Sequence, residues 1–195
     1  MVRILGLSGS LRSGSYNSAL LRAAADVIGS GVIGSEATLE IGSIRGIPLY
    51  DGDVEAADGI PAVVQALKAR VQACDGLLLV TPEYNNGIPG VFKNAIDWLS
   101  RPAAEIPQVF GDRAVALVGA SPGGFGTILS QNAWLPVLRT LGTRPWFGAK
   151  LMVSRANKAF DADGVLVDDA VRTQLRDYLA GFVRFVAESK RTSTP

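Results

Sequence analysis

Histidine is absent from this sequence of 195 residues, and cysteine occurs only once. Without histidine the chain cannot build a Ser-His-Asp hydrolase, a metalloprotease of the HExxH type or a metal site made of imidazole ligands. The single cysteine, Cys74, cannot form a disulfide within the chain, and its place at a predicted helix end favours a buried structural thiol. These two shortages remove several common hydrolase and metal chemistries.

Strong charge and long apolar runs are also missing. The formal net charge is +1, which gives no reason to expect nucleic acid or an anionic membrane as a partner. No apolar run approaches the roughly 20 residues of a membrane span. Residues 1–3 lead directly into a strand, without the apolar segment of a signal peptide. We therefore expect a cytoplasmic protein with a single domain at 1–188 and a flexible C-terminal tail at 189–195.

Strand and helix patterns alternate along the chain. Predicted strands lie at 2–7, 38–41, 76–80, 114–119 and 150–153. The first predicted helix ends near residue 28, and the other four cover 61–74, 90–100, 127–141 and 168–188. Residues 42–59 are predicted to be a long loop. This alternation predicts an α/β fold with a doubly wound, five-stranded parallel sheet and helices on both faces. Because ligand-type loops follow strands 1, 3 and 4, we expect the flavodoxin-like strand order 2-1-3-4-5.

The first of these loops, 8–17, combines several hydroxyl groups with one guanidinium. It leads into a helix, whose N-terminus offers unpaired amides and the positive end of the helix dipole. With Arg12 and Asn17 added, the loop suits a phosphate monoester. Gly9 and Gly14 have Walker A spacing, but Ser15 stands where that motif needs lysine, and the dinucleotide pattern GxGxxG is absent. The alternative is a Ser/Gly-rich turn that only caps the helix.

The loop after the third strand, 81–89, has the groups that a flat heteroaromatic ring requires. Pro82 fixes its own φ and Gly87 can adopt positive φ, so the loop can hold a bent shape with its amides directed at a ligand. Tyr84 adds an aromatic face, and Asn85 adds both a donor and an acceptor. In an open α/β sheet, ligands bind just beyond the carboxyl ends of the strands, which is where this loop lies.

The loop after the fourth strand, 120–127, overlaps a formal match to the hydrolase elbow GxSxG at 119–123. That interpretation needs a base for Ser121, and the chain has neither histidine nor the SxxK motif of a Ser-Lys enzyme. Its closely spaced glycines more simply let the backbone approach a flat ligand. A tight strand-to-helix turn without a ligand is the alternative.

Four segments together resemble the NAD(P)H-dependent FMN reductase family, and within it the chromate- and quinone-reducing branch. They are GSLRxxSYN at 9–17, IPLY at 47–50, TPEYN at 81–85 and PGxxKNAIDW at 89–98. The resemblance covers much of residues 1–101, whereas 128–195 is only generically similar. It implies bound FMN, NADH or NADPH as electron donor, and a small-molecule acceptor such as a quinone, chromate or free flavin. It also implies a homodimer or homotetramer.

The resemblance further assigns residues to the FMN site. No side chain is implied to be catalytic and no metal ligand is implied, since hydride would pass directly to FMN. The implied FMN residues are Ser10, Arg12, Ser15, Tyr16 and Asn17 at the phosphate, Pro82, Glu83, Tyr84 and Asn85 along the isoalloxazine, largely through backbone groups, and Ser121, Gly123 and Gly124 on its other side. We expect Tyr50 and Arg101 to contact the substrate.

Large apolar groups suggest a subunit interface near this site. The set exceeds what one sheet face obviously requires, and comprises Phe92, Ile96, Trp98, Leu99, Trp134, Trp146 and Phe147. A two-fold dimer that walls the pocket would use them, whereas ordinary core packing is the alternative. Arg101 could then come from the neighbouring subunit to meet Glu83 or an anionic substrate. The alternative is that Arg101 is a solvated side chain at the C-terminus of the helix, where its charge interacts favourably with the helix dipole.

Three functions are compatible with such a site. A reductase would follow a ping-pong cycle, because one open face cannot hold the nucleotide and the acceptor together. A flavodoxin-type electron carrier would lack NAD(P)H activity of its own and usually needs a strong charge field, against which the net charge of +1 argues. A flavin-free regulatory or scaffolding domain of the same fold is the third alternative.

Overall fold

The computed structural model describes residues 1–31 and 37–192. In chain order the elements are β1 Val2–Ser8, α1 Tyr16–Gly29, β2 Ala37–Gly42, α2 Gly52–Asp58, α3 Ala62–Ala73, β3 Gly76–Val80, α4 Gly90–Leu99, a 3₁₀ turn Ala103–Glu105 running into α5 Ile106–Val109, β4 Ala114–Ala120, α6 Ile128–Thr140, β5 Arg144–Pro145, β6 Leu151–Val153, α7 Ala156–Ala159 and α8 Asp169–Thr192.

The strands form a parallel sheet in the order β2-β1-β3-β4-β5, which confirms the predicted order. β3 lies between β1 and β4 and is buried along its whole length, as expected for its unbroken Gly-Leu-Leu-Leu-Val sequence. From β1 the chain first moves outward to β2 and then crosses back to β3 on the other side. The switch point therefore falls between β1 and β3, where loops from both strands diverge.

The fifth position of the sheet differs from the prediction of one strand at 150–153. It is shared by two short segments, because β5 pairs with the start of β4 and β6 pairs with its end. Pro145 has no amide hydrogen to continue the ladder, and the chain after it folds against the Trp146 ring, leaving no room for a Cβ at Gly148. The sheet edge is thus interrupted beside Leu117.

Successive side chains of each strand point to opposite faces of the sheet, and this divides the core into two layers. Ile4 and Leu78 point to the face covered by α1 and α8, whereas Leu5 and Leu77 point to the face covered by α3, α4, α5 and α6. Fully burying a side chain of this size stabilises the fold by roughly 1.5–3 kcal/mol. Both faces of the central strands are therefore closed, and only the strand ends remain open for a ligand.

Core packing accounts for most of the apolar residues that suggested an interface. Phe92, Ile96, Trp98, Leu99 and Trp134 are buried within this single chain. Phe92 and Trp134 meet edge to face with ring centroids 5.1 Å apart. Trp146 packs against Tyr178 at 4.7 Å, so only Phe147 of that set is largely exposed. The interpretation of the buried five as interface residues is wrong, because helices α4 and α6 cover one face of the sheet with them.

Two segments are more helical than the sequence patterns indicated. The predicted loop 42–59 contains α2, whose N-terminus is capped by the Asp51 carboxylate accepting from the Asp53 amide at 2.8 Å. The last helix was expected to end near residue 188 but continues to Thr192. Ser189 fits inside it by donating its hydroxyl to the Phe185 carbonyl at 2.7 Å. The rest of the expected tail, 193–195, lies outside the described residues.

Candidate active site

The loops after β1, β3 and β4 meet at one edge of the sheet, as their positions predicted. Each loop is tied to the neighbouring strand at its first residues. Gly9 N–H donates to Val80 O at 2.9 Å, and Thr81 N–H donates to Val118 O at 2.8 Å. A Cβ on Gly9 would lie 2.3 Å from Cδ1 of Phe92, so only glycine allows this close approach. The three loops are therefore held at a fixed spacing.

The loop after β1 presents a prepared helix N-terminus. Ser15 is the N-cap of α1, with its hydroxyl accepting from the amides of Asn17 and Ser18 at 3.2 and 3.4 Å. Arg12 is exposed, and its guanidinium lies 6.0 Å from the Tyr16 ring centroid. Within the described part of the chain it makes no ion pair. Arg12 is thus available to an anion at this loop.

Asn17 has a structural task that its position did not suggest. Its Nδ2 donates to Ala120 O at 2.8 Å, and its Oδ1 accepts from Ala120 N–H at 2.9 Å. The residue is only 4% exposed. Asn17 therefore clamps the N-terminus of α1 to the end of β4, and only its second Nδ2 hydrogen is left for a phosphate. The loops after β1 and β4 are joined through this one amide.

The loop after β3 makes a tight reversal at Tyr84. Tyr84 and Gly87 exchange both backbone hydrogen bonds, at 3.2 and 3.0 Å. The positive φ needed for this turn occurs at Asn85 and Asn86, at 49° and 62°, and not at Gly87 as expected. Asparagine tolerates this region better than other residues with a side chain, so a two-residue turn with both centres left-handed can form here. The turn places the half-exposed Tyr84 ring at the edge of the site.

A contact between Tyr84 and Ser10 joins the two loops. Ser10 Oγ and the Tyr84 hydroxyl are 3.4 Å apart, and Ser10 Oγ also accepts from the Arg12 amide at 3.3 Å. The hydroxyl-rich loop and the aromatic loop therefore form two adjacent walls. A ligand with a phosphate at one end and a flat ring at the other could contact both.

The Glu83 carboxylate binds the N-terminus of α6. Its Oε2 accepts from the amides of Leu129 and Ser130 at 2.8 and 3.0 Å, at the N-terminus of that helix, where a negative charge is favourable. Next to it, Thr81 Oγ1 is 2.8 Å from Ser130 Oγ and accepts from Trp134 Nε1 at 3.1 Å. The side chain of Glu83 is thus engaged. Because Pro82 has no N–H and its carbonyl accepts from Thr81 Oγ1 at 3.0 Å, the backbone of Glu83 is the part left for a ligand. Thr81 was not among the predicted site residues, although it opens the TPEYN segment.

Glycine is required in β4 where it approaches the loop after β3. A Cβ on Gly119 would lie 2.0 Å from Thr127 Oγ1 and 2.3 Å from Thr81 O. Gly123 and Gly124 differ, since a Cβ there would meet Ser121 Oγ at 3.5 Å or no atom within 4 Å. Internal packing does not need these two glycines, which is consistent with a bare backbone surface for a ligand. Ser121 itself is fixed through its carbonyl, which accepts from Ala156 N–H at 3.0 Å.

Tyr50 and Arg101 form a separate cluster around Glu55. The Tyr50 hydroxyl and Arg101 Nε both donate to Glu55 Oε2, at 2.9 and 2.8 Å. The Arg101 guanidinium also lies 5.7 Å from the Tyr50 ring centroid. The hydrogen bond from Arg101 lowers the pKa of Glu55, and the bond to Glu55 raises the pKa of Tyr50. Within the described residues, Arg101 thus pairs with Glu55 and makes no hydrogen bond or ion pair with Glu83.

Two classes of feature are missing from residues 1–31 and 37–192. No group of three or more cysteine, aspartate or glutamate side chains is arranged to hold a metal ion there. None of the helices described combines the length and apolarity that crossing a lipid bilayer requires.

Comparison with known proteins identifies relatives of this arrangement. The family described as NADPH-dependent FMN reductase matches residues 2–158. An NAD(P)H-dependent FMN reductase of Pseudomonas aeruginosa is 43% identical over 178 residues, covering 91% of each chain. An NAD(P)H:quinone oxidoreductase of Solanum tuberosum is 38% identical, covering 92% of this chain and 90% of its own.

A solved structure shares the whole fold. The flavoenzyme NAD(P)H:(acceptor) oxidoreductase FerB from Paracoccus denitrificans superposes with a TM-score of 0.83 at 29% identity. The match covers 97% of this chain and 99% of FerB, so it includes the region after residue 128 that the sequence motifs left only generically similar.

Proposed function

The chain belongs to the NADPH-dependent FMN reductase family, and from this premise we propose that it passes two electrons from NADH or NADPH, by way of bound FMN, to a small-molecule acceptor. The acceptor would be a quinone, chromate or free flavin. Quinones have the most direct support, because several relatives carry quinone reductase or quinone oxidoreductase in their names.

The observation that carries this proposal is the pair of joined walls at Ser10 and Tyr84. Hydroxyls, Arg12 and a capped helix N-terminus on one wall have the donor chemistry for the phosphate of FMN. The half-exposed Tyr84 ring and the backbone of Glu83 and Asn85 on the other suit a flat ring with polar edges. The donor set therefore fits FMN. Bound FMN would supply the hydride acceptance and electron return that side chains cannot.

The residues of the chain would act by binding and orienting. Arg12, Ser10, Ser15 and Tyr16 would hold the phosphate, with Asn17 contributing mainly by fixing α1 against β4. Pro82, Glu83, Tyr84 and Asn85 would line one side of the ring, and the second side would meet the residues Ser121, Gly123 and Gly124. No proton transfer by a side chain is required, which is compatible with a chain without histidine.

We propose a ping-pong order for the two substrates. With three loops around the ring, a single open face would serve the nucleotide and the acceptor in turn. Tyr50 and Arg101 would contribute to the substrate side as one unit held by Glu55. Arg101→Ala should therefore raise the KM for NAD(P)H or the acceptor and leave the FMN content unchanged. Unchanged KM and kcat would make Arg101 a surface charge that only stabilises α2.

Assembly and location complete the proposal. We propose a cytoplasmic homodimer or homotetramer, with an interface on the surface around α2 and α4 instead of the buried aromatic set. Leu49 is 82% exposed there, and Val54 and Val91 are exposed nearby. We propose that these exposed groups form one contiguous apolar patch, which is the kind of surface that mediates association. Light scattering at micromolar concentration tests it, and a strictly monomeric mass would refute it.

Steady-state kinetics on the FMN-saturated protein test the function. We expect NAD(P)H-dependent reduction of a simple benzoquinone, with parallel double-reciprocal lines when both substrates are varied. Intersecting lines would contradict the ping-pong order alone. FMN uptake without NAD(P)H oxidation would instead indicate an electron carrier. Failure to bind FMN would contradict the proposed function.

A further inference from the structure

A pocket separate from the wall at Tyr84 adjoins the loop after β1, on the side that faces β2. It has a volume of about 350 Å³ and lies between residues 8–13, the start of α1 and the end of β2. Eight of its thirteen lining residues are serines or arginines, and the others include the buried Leu21 and Ile44. Since β2 and β3 flank β1 on opposite sides, this pocket and the wall at Tyr84 lie on opposite sides of the loop.

The charge of this pocket is one-sided. Three arginines, Arg12, Arg22 and Arg45, contribute to it, and no carboxylate is among the described residues that line it. Neither Arg22 nor Arg45 forms an ion pair within the described part of the chain. Guanidinium groups with hydroxyl neighbours form the strongest hydrogen bonds with phosphate oxygens. The pocket therefore has the chemistry of a phosphate-monoester site.

Arg45 is held in place from the opposite wall. Its Nη2 donates to Leu11 O at 2.6 Å, and its amide donates to Ser43 Oγ at 3.1 Å. This bond ties the segment after β2 to the loop after β1, so the pocket has two connected walls. Its remaining guanidinium hydrogens are available to a ligand. Arg22 lies between this pocket and the adjoining one beside Gly164, which Asp26 and Asp163 also line.

The pocket also connects to the proposed FMN site. Ser10 belongs to both, because its hydroxyl lines the pocket and lies 3.4 Å from the Tyr84 hydroxyl. Leu11 and Ile41, 37% and 44% exposed, provide apolar surface at the mouth of the pocket. A molecule that reaches the FMN ring with one end could thus place a second, phosphorylated end here.

We propose that this pocket binds the 2′-phosphate of NADPH, with Arg22 and Arg45 distinguishing NADPH from NADH. This inference rests on the proposed function, which requires a nicotinamide nucleotide at the FMN ring. Arginines beside an adenosine ribose accommodate a 2′-phosphate in other nucleotide folds by the same chemistry. The other possible source of the phosphate is FMN itself, which Arg12 and the α1 N-terminus already serve.

Equilibrium binding to the FMN-loaded protein tests this without turnover. The probes are 2′,5′-ADP and 5′-AMP, measured by calorimetry for wild type, Arg22→Ala and Arg45→Gln. Glutamine keeps a donor for Leu11 O but removes the charge. We expect wild type to prefer 2′,5′-ADP and each variant to bind it roughly tenfold more weakly or worse, the scale of a charged hydrogen bond. Binding of 5′-AMP should change little, and Arg45→Lys should recover part of the affinity.

The matched control is Arg139→Ala, an exposed arginine in the last turn of α6, far along the chain from this pocket. It should alter neither probe. In kinetics, the two pocket variants should raise the KM for NADPH and leave the KM for NADH near its wild-type value. Equal effects on both nucleotides, or equal wild-type affinity for both probes, would overturn the inference.

Two outcomes separate this inference from the proposed function. A loss of FMN affinity in Arg22→Ala equal to the loss for 2′,5′-ADP would show that the pocket holds the FMN phosphate. A protein that takes up no FMN and oxidises neither nucleotide would contradict the proposed function itself. An active protein whose nucleotide preference ignores both arginines would contradict only the pocket assignment.

Discussion

Two asparagine side chains each join two segments of the chain by hydrogen bonds to backbone groups, but their surroundings differ. Asn17 accepts from and donates to the backbone of Ala120, and thereby holds α1 against β4 inside the candidate site. Asn94 accepts from Tyr50 N–H at 2.8 Å and donates to Pro48 O at 2.8 Å, and thereby holds the segment after β2 against α4. The first clamp is buried, whereas in the second Asn94 is half-buried and its partners Pro48 and Tyr50 are exposed.

The difference separates two regions of the molecule. Around Asn17, water cannot replace a lost hydrogen bond, so the loops of the candidate site are strongly constrained. Around Asn94, the neighbouring contacts are ionic and partly exposed, with Glu55 between Arg101 and Tyr50. Such contacts are weak and respond to salt and pH. We infer that the FMN side is rigid and that the substrate side is adjustable.

The largest effect expected is from removing the buried clamp. Asn17→Ala leaves both backbone groups of Ala120 unpaired, each at a cost of about 1–3 kcal/mol, so the free energy of unfolding should fall by about 2–6 kcal/mol. Asn94→Ala is the matched control and should lose only about 0.5–1.5 kcal/mol, since water replaces its bonds. Urea unfolding of the FMN-free proteins measures both. Equal losses would erase the distinction between the two regions.

The second comparison uses the arginines of the two regions. Arg12→Ala removes a charged donor at the proposed phosphate, and should weaken FMN binding by about 1.5–3 kcal/mol. Arg101→Ala is the counterpart on the substrate side and should leave FMN affinity unchanged. Fluorescence titration of apo-protein with FMN measures both. Wild-type affinity in Arg12→Ala would remove Arg12 from the site.

Tyr178 makes another buried hydrogen bond, which joins α8 to β4 and allows a second test of the buried region. Its hydroxyl donates to Leu117 O at 2.8 Å, beside the interruption of the sheet edge, and burial raises its pKa well above the usual range. Tyr178→Phe should cost about 0.5–1.5 kcal/mol at neutral pH. Above the unfolded pKa of about 10, wild type should lose stability, because the unfolded tyrosine ionises while the folded one stays neutral.

Chemical denaturation across alkaline pH measures this loss. The loss should be smaller in Tyr178→Phe, which has one fewer group to titrate. An identical alkaline slope in both proteins would show that Tyr178 is not buried as described.

The smallest effect is expected on the adjustable side. Arg101 lowers the pKa of Glu55, so this carboxylate contributes stability above its ordinary pKa of 4.5 and loses it as pH falls through the lowered folded value. Glu55→Gln should be slightly less stable than wild type at neutral pH, and the gap should close in acid and in high salt. A gap that is independent of pH and salt would mean that Glu55 acts by packing. Thermal unfolding at several pH values decides between them.

Regular features of the fold were predictable because they follow from periodicity. The unbroken apolar run of β3 and the ligand-type loops after three strands were sufficient for the strand order. The division of the fifth strand was not, since it depends on how the chain after Pro145 folds over Trp146. Similarly, α2 lacks buried residues and has no apolar face to reveal it.

Within the candidate site, residue types were more predictable than their partners. The loop at 8–17 and the turn at Tyr84 could be placed together from the strand order. The amide of Asn17 and the carboxylate of Glu83 bond to groups more than 40 residues away, on β4 and α6. No local pattern encodes such distant partners, so the sequence did not predict that these two side chains hold β4 and α6 in place.

The central claim is that this chain itself accepts electrons from a nicotinamide nucleotide through bound FMN. Anaerobic rapid mixing of the FMN-loaded protein with NADPH, and separately with NADH, tests it most directly, with no acceptor and no partner protein present. The account predicts rapid, complete loss of the visible absorbance of oxidised flavin, and its return when a quinone is added. An FMN-loaded protein whose absorbance persists with both nucleotides would contradict it.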